Sequence, residues 1–185
     1  MANKAVFLDR DGVVNVDHAY VYKIEDFEFI DGVFEACQLF QAAGYKIVIV
    51  TNQSGIGRGY YSEQDFHLLT KWMVAQFSAH DIEVSKVYFC PHHPTKGVAG
   101  YQQDCDCRKP KPGMLLRGVE ELALDASECI MFGDKGSDML AAKAAGFKKK
   151  ILVKSGQSLS EQELLLADEV WDSLDCAREK FSENN

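Results

Sequence analysis

No stretch of this 185-residue sequence is apolar for long enough to span a bilayer. The start, Met1-Ala2-Asn3-Lys4, leads straight into a short apolar run with no signal-peptide region between. A cytoplasmic protein without a membrane partner is therefore expected. Positive charge is scarce too: 20 lysines and arginines against 28 aspartates and glutamates leave a net charge of -8. Nucleic acid is excluded as a partner, because releasing its counterions needs a basic face. A small anionic substrate is not excluded, since a local basic cluster can outweigh the global sign inside a cleft. Internal repeats and low-complexity linkers are absent, and the length suits a single domain, taken as 1–185. The six cysteines have no ready explanation as disulfides in a reducing compartment. What is present, 46% hydrophobic and 26% charged residues, is the composition of an ordinary globule.

The chain is organised around Lys4-Ala5-Val6-Phe7-Leu8-Asp9-Arg10-Asp11-Gly12. Its first half is apolar and rich in β-formers, the pattern of a strand buried on both faces of a sheet. Its second half sets two carboxylates two residues apart where the strand ends, and Gly12 lets the chain turn sharply. Side chains two apart on an extended segment point the same way. Asp9 and Asp11 can therefore share a pocket, a divalent cation and a phosphate. An Asp-rich turn closing a strand is the plainer explanation of the same residues, and the rest of the chain decides between them.

Residues 13–22 form an irregular, aromatic-rich stretch suited to a surface loop or to a flap over a site. Asp31 is placed as an N-cap, followed by Val33, Cys37 and Phe40 at helical spacing and by Gly44 as a stop. Residues 46–51 are the clearest strand, and 52–59 a glycine-rich loop. Ser62 with Asp65 opens a helix whose buried stripe is Phe66, Leu69, Met73, Val74 and Phe77. Further strands are expected at 84–89, 128–132, 150–153 and, weakly, 169–171. Pro112 starts a helix that buries Met114, Leu115, Val119 and Leu122, and a small-residue helix covers 136–145. Cys37 and Cys129 are assigned to the core, and the polar tail Ser182-Glu183-Asn184-Asn185 to disorder.

Strands alternating with helices imply a three-layer α/β/α, Rossmann-like fold: a mostly parallel sheet with helices on both faces and no large cap domain. Ligands of such sheets sit beyond the carboxyl ends of the strands. That rule gathers Asp9 and Asp11, Thr51, and Gly133-Asp134-Lys135.

Phosphoryl transfer needs a nucleophile, positive charge beside the phosphate, donors to its oxygens and a proton donor for the leaving group. Asp9 can attack phosphorus, splitting one hard step into two easier ones through an aspartyl-phosphate. Asp11 can protonate the departing alkoxide and later activate water. Asp134 can complete a Mg²⁺ site, since that ion prefers carboxylate and water oxygens. Thr51 can donate to the phosphoryl group, and Lys109 or Arg108 can add positive charge. Taken singly, Thr51 is an ordinary strand end, Gly133-Asp134 a turn, and residues 108–112 a solvated basic loop. Their joint placement at three strand ends favours the catalytic reading.

Cys90-x-His92 and Cys105-x-Cys107 offer three thiols and one imidazole on a loop at about 90–107. That inventory fits a closed, structural Zn²⁺ site. A disulfide between Cys105 and Cys107 is unattractive on strain and on compartment. His93 is a rival ligand, but as the neighbour of His92 it should point elsewhere.

Asp9-Arg10-Asp11-Gly12-Val13, Thr51-Asn52-Gln53, Arg108-Lys109-Pro110 and Gly133-Asp134-Lys135 with Asp138 together resemble the motif series of haloacid dehalogenase-like phosphatases. The resemblance runs over nearly the whole chain; Val13 departs from it, standing where many of that family carry Thr. It implies Asp9 as nucleophile and Asp11 as acid/base, with Mg²⁺ held by Asp9, the Asp11 backbone carbonyl and Asp134. It implies that Thr51 and Lys109 hold the transferred phosphoryl group. Substrate contacts would come from Asp17, His18, Ala19 and Tyr20, from Thr51, Asn52, Gln53 and Ser54, and from Arg108, Lys109 and Lys135. It also implies a small sugar bisphosphate as substrate and a structural zinc at Cys90, His92, Cys105 and Cys107. A monomer is the expected state. Two other classes compete less well. A dinucleotide-binding loop fails because the third glycine of Gly55-x-Gly57-x-Gly59 comes too early. A non-catalytic, zinc-stabilised module leaves Asp9, Asp11 and Asp134 without a purpose. Within the phosphatases, a histidinol-phosphate phosphatase is the competitor, because its similar domain carries the same aspartates and zinc ligands.

Overall fold

Period-two alternation along the strands decides the layering of the computed structural model, which describes residues 3–181. In strand β1 (Lys4–Leu8), Val6 and Leu8 point into one apolar core while Ala5 and Phe7 point into another. Strand β2 (Tyr45–Asn52) repeats the pattern, Ile47 and Ile49 to the first core and Val48 and Val50 to the second. Strands β3 (Val84–Cys90), β4 (Ile130–Gly133), β5 (Lys149–Val153) and β6 (Glu169–Trp171) complete one sheet in the order β3-β2-β1-β4-β5-β6. Every pairing is parallel, with Val6 opposite both Ile47 and Ile130.

Helices α1 (Val33–Ala42) and α3 (Glu63–Ala79) cover the first face, with Val33, Cys37 and Phe40 and with Leu69, Met73 and Phe77 buried against it. Helices α4 (Gly113–Glu121) and α5 (Gly136–Ala144) cover the second through Met114, Leu115, Met139 and Ala142. Val119 and Leu122 only edge that core. The short helices α6 (Glu161–Leu164) and α7 (Ala177–Lys180) lie towards the end of the chain. This is the expected three-layer α/β/α architecture. Because β1 is central, the chain leaves it towards β2 on one side and returns at β4 on the other, which opens a crevice at the carboxyl end of β1.

Several local expectations are corrected. Asp31 does not cap α1: the N-cap is Gly32, at φ +84°, where a Cβ would lie 2.2 Å from an Asp175 carboxylate oxygen. The glycine-rich segment is not all loop, since helix α2 (Ser54–Gly57) forms one turn directly after β2. Glu128 belongs to a 3-10 turn (Ala126–Glu128), so β4 starts at Ile130; Cys129 beside it is buried as expected. The stretch after Gly12 is not simple surface loop either. Val13 and Val14 are core residues, and Asn15 bridges to both Asp11 and Phe29. Ser62 and Asp65 do form the capping box of α3. The tail 182–185 lies outside the described residues.

Phe40 ties the helical layer to the sheet: it is fully buried, with ring centroids 5.2 Å from Phe132 and 5.0 Å from Phe181. Phe40→Ala is expected to lower the unfolding free energy by about 3–5 kcal/mol, measured by urea titration.

Candidate active site

The carboxyl ends of β1, β2 and β4, together with the loop 91–112, converge on one buried group, the ammonium of Lys109. Its Nζ lies 3.0 Å from Asp9 Oδ1 and 2.7 Å from Asp138 Oδ1, and donates to the Val50 carbonyl at 2.9 Å. Asn52 holds the lysine backbone from both sides, accepting from its N–H at 3.1 Å and donating to its C=O at 3.2 Å. Asp9 is placed by the sheet, since its N–H continues the ladder to the Phe132 carbonyl at 3.0 Å. Asp138 stands in the first turn of α5, its Oδ2 accepting from the Lys135 N–H at 3.2 Å. Gly133 allows this approach: a Cβ there would meet the Asp138 Cβ at 2.3 Å.

Asp134 is fully buried beside them. Its Oδ2 accepts from the Gln157 N–H at 3.0 Å, while its Oδ1 is buried without any partner. Gly12 and Gly156 flank it so tightly that a Cβ at either would lie within 2.3 Å or 2.1 Å of Asp134 Oδ2. The carboxylate oxygens of Asp9, Asp134 and Asp138 fall within 4.8 Å of one another. Asp11 points elsewhere: its carboxylate accepts from Arg10 at 2.9 Å, Asn15 at 3.0 Å and Gln53 at 3.2 Å.

The electrostatics follow from crowding and burial. Desolvation first, then the Asp138 charge, pushes Asp9 well above the usual carboxylate range, although Lys109 opposes this. The same two causes raise Asp134 to about 6. Burial alone would depress Lys109, but the charges of Asp138 and Asp9 outweigh it and hold the ammonium above its ordinary value. Three carboxylates with one ammonium in contact carry two surplus negative charges when all are ionised. An unpartnered, buried Asp134 oxygen and that surplus fit a divalent cation with hard oxygen preference, which is Mg²⁺ chemistry.

Above this cluster opens a cleft of about 520 Å³. Asp11, Asp17, Ala19, Tyr20, Asn52 and Ser54 line it, as do Arg108, Lys109 and Lys135. Ala19 and Tyr20 both adopt left-handed backbone (φ 58° and 54°), strain that aims the Tyr20 ring at the rim. Thr51 lies buried beneath, its hydroxyl accepting from Gln53 at 2.8 Å. His18 stands outside the cleft, exposed and 3.2 Å from Glu28. Five residues escaped the sequence reasoning, one of them Tyr61, which also lines the cleft. Arg10 looked like a spacer, yet it is buried and donates to both Asp11 and the Val21 carbonyl. Arg58 lines the cleft with its guanidinium 5.9 Å from the Tyr20 ring centre, and its Nε has no partner. Gly156 and Gln157 follow β5 without any motif to mark them. Asp138 was visible only as part of the motif series.

A family model for haloacid dehalogenase-like hydrolases matches residues 2–146. The chain belongs to that family. It is 52% identical to the D-glycero-beta-D-manno-heptose-1,7-bisphosphate 7-phosphatase of Vibrio cholerae, over 94% of either chain. It is 47% identical to the Escherichia coli (strain K12) protein of the same name, over 92% of this chain and 89% of that one. Among solved structures, D,D-heptose 1.7-bisphosphate phosphatase from B. bronchiseptica, complexed with magnesium and phosphate, superposes with a TM-score of 0.80 at 28% identity, covering 98% of this chain and 99% of that one. Among the described residues, no helix of this hydrolase is long and apolar enough to cross a membrane.

The end of β3 and the loop 91–112 together carry the second cluster. Cys90, Cys105 and Cys107 place their sulfurs 2.7 to 3.4 Å apart, and His92 Nδ1 lies 3.8 Å from Cys90 Sγ and 3.5 Å from Cys107 Sγ. A tetrahedron around zinc with ligands at about 2.3 Å has edges of roughly 3.8 Å, so small outward shifts fit the four donors to that ion. All six cysteines are free, with no disulfide between Cys105 and Cys107. The close contact with Cys90, above all, holds the Cys107 thiol down to about 5. His93 turns away, its Nδ1 accepting from the N–H groups of Thr95 and Lys96. Arg108, next after Cys107, donates to the His92 carbonyl at 3.4 Å, which links this cluster to the cleft.

Folded Asp134 titrates near 6 against an ordinary 3.8, so the metal-free fold keeps a proton that the unfolded chain gives up. Metal-free stability should therefore fall as pH rises through that window, and a bound cation should reverse the loss. The Tm increment from Mg²⁺ over EDTA is expected to be larger at about pH 8 than at about pH 5, read by thermal melts. Cys107→Ser should lower zinc content and Tm together, read by metal analysis and melting.

Proposed function

We propose that this chain is a Mg²⁺-dependent phosphatase that removes the 7-phosphate of D-glycero-D-manno-heptose 1,7-bisphosphate. The observation that carries this reading is the buried Asp9–Lys109–Asp138 cluster at the head of the cleft, in a chain about half identical to named heptose bisphosphate phosphatases. Asp9 attacks phosphorus; the bond to the substrate oxygen breaks, its electron pair leaves with that oxygen, and Asp11 supplies the proton. Asp11 then takes a proton from water, whose oxygen displaces Asp9 and releases inorganic phosphate. Arg10, Asn15 and Gln53 stabilise the Asp11 carboxylate left when its proton has gone. Lys109 and Thr51 hold the phosphoryl oxygens in transit. Asp9, Asp134 and the Asp11 carbonyl would hold Mg²⁺, which would supply positive charge to the phosphoryl group.

The second phosphate lies in the cleft against Arg108, Arg58 and Lys135, with Asp17, Tyr20 and Ser54 along the sugar. Zinc at Cys90, His92, Cys105 and Cys107 is structural, because the protein fills all four positions and leaves none for substrate. The product feeds nucleotide-activated heptose, ADP- or GDP-linked, for lipopolysaccharide core or another surface glycan. The enzyme works in the cytoplasm, a compartment that suits its reduced thiols, as a monomer.

Asp9→Asn should cut turnover by about 10⁴-fold or more while leaving the fold intact, read by circular dichroism. Trapped phosphate should be found on Asp9 of the native enzyme; label on another residue would contradict the nucleophile. Phosphate release from heptose bisphosphate should far exceed that from histidinol phosphate, and the reverse order would move the chain to the other phosphatase class.

A further inference from the structure

A hydrogen-bond chain runs from an aromatic cluster into the site. Tyr61 is buried in a small apolar group with Ile56 and Phe66, and its ring stacks on Tyr22 at 5.1 Å with an interplanar angle of 6°. The backbone of α2 presses on it, since a Cβ on Gly55 would fall 2.3 Å from the Tyr61 ring. Its hydroxyl donates to Gln53 Oε1. The other end of that amide donates to Asp11 Oδ2 at 3.2 Å and to Thr51 Oγ1 at 2.8 Å.

The direction of each bond follows for the state in which Asp11 has given up its proton. An ionised Asp11 carboxylate accepts only, so the NH₂ end of Gln53 must face it. The amide oxygen then faces Tyr61, and the phenol must donate; burial keeps that phenol protonated by pushing its titration up. The second amide proton occupies a lone pair of Thr51. The proton of Thr51 is thus left free of Gln53, with only the Asn52 carbonyl near it at 3.5 Å, the outer limit of a hydrogen bond and easily exchanged for a phosphoryl oxygen.

We propose that Tyr61 and Gln53 are positioning residues: together they aim the Thr51 hydroxyl proton at the phosphoryl group and hold the Asp11 carboxylate in place for proton transfer. The inference rests on the phosphatase reading above. Gln53 lines the cleft, where the family resemblance implies a substrate contact, and both its N–H bonds go to the protein's own catalytic groups. Tyr61, assigned no role by the motifs, decides which way that amide faces.

Steady-state kinetics of Tyr61→Phe and Gln53→Leu test this. Phe keeps the ring stack but removes the donor, freeing the amide to turn. Its kcat should fall about tenfold with KM changed less than about twofold, the range of effects for groups that act through a catalytic neighbour. Gln53→Leu should lower kcat about 10²-fold, as when a transition-state donor is lost. It should also move the pH–rate profile to higher pH, because a donor to a carboxylate has gone. Inhibition by orthovanadate, whose geometry mimics the transferring phosphoryl group, should weaken by a similar factor in each variant. Wild-type turnover of the bisphosphate tests the underlying reading; the variant-to-wild-type ratios on the same substrate test the clamp. Variants that melt like wild type yet keep kcat and the pH profile, or that change KM alone, would overturn it.

Discussion

An ammonium group with almost no access to water, held between two carboxylates and a strand-end carbonyl, is the constraint on which this molecule depends. Moving such an ion out of water costs several kcal/mol even after relaxation. Lys109 offsets that cost only because Asp9, Asp138 and Val50 reach it from three separate elements. Each partner is placed by its own local structure: Asp9 by the central strand, Asp138 by the first turn of α5, Val50 by β2. The cluster therefore registers the sheet, one helix and the loop 91–112 against one another. It also carries surplus negative charge, which protons or a divalent cation must neutralise. Protonation of Asp9 and Asp134 and binding of a cation are alternative solutions to the same crowding.

The two acids at the tip of β1 have different surroundings, which suits the division of chemistry proposed for them. Asp9 is buried among carboxylates and one ammonium. Asp11 is held by donors alone, from Arg10, Asn15 and Gln53. One environment suits a nucleophile beside a cation, the other a group that gives up a proton and takes it back. The loop cluster acts at a remove: Cys107 is followed at once by Arg108 and Lys109, so fixing the thiols fixes where both cations enter the site.

Much of this could be read from residue order. Asp9 and Asp11 follow a buried strand, Thr51 ends another, and Asp134 follows a third, so the rule for parallel sheets collected them without coordinates. The cluster of Cys90, His92, Cys105 and Cys107 could be suspected from two close pairs of metal-ligand types, although the spacing within each pair is tighter than in an ordinary zinc finger. Arg10 was missed because alternation puts it opposite its acidic neighbours, a position that looks like a spacer until Val13 and Val14 pack beneath and Val21 accepts from it. Arg58 and Tyr61 were missed because one turn of helix, not an open loop, follows β2 and carries them round to the cleft. Asp31 was misplaced as a cap because the sequence cannot show that Asp175 occupies the space beside Gly32.

Strand positions, core alternation and the chemical type of the site were set by local pattern, since periodicity and short-range chemistry act between near neighbours along the chain. Which oxygen meets which hydrogen was decided only by tertiary packing. Lys109 meets Asp9 a hundred residues away, and the amide of Gln53 takes its direction from Asp11 and Tyr61 on opposite sides. Hydrogen bonds and ion pairs depend on distances of a few tenths of an ångström, and no spacing in a sequence carries that information.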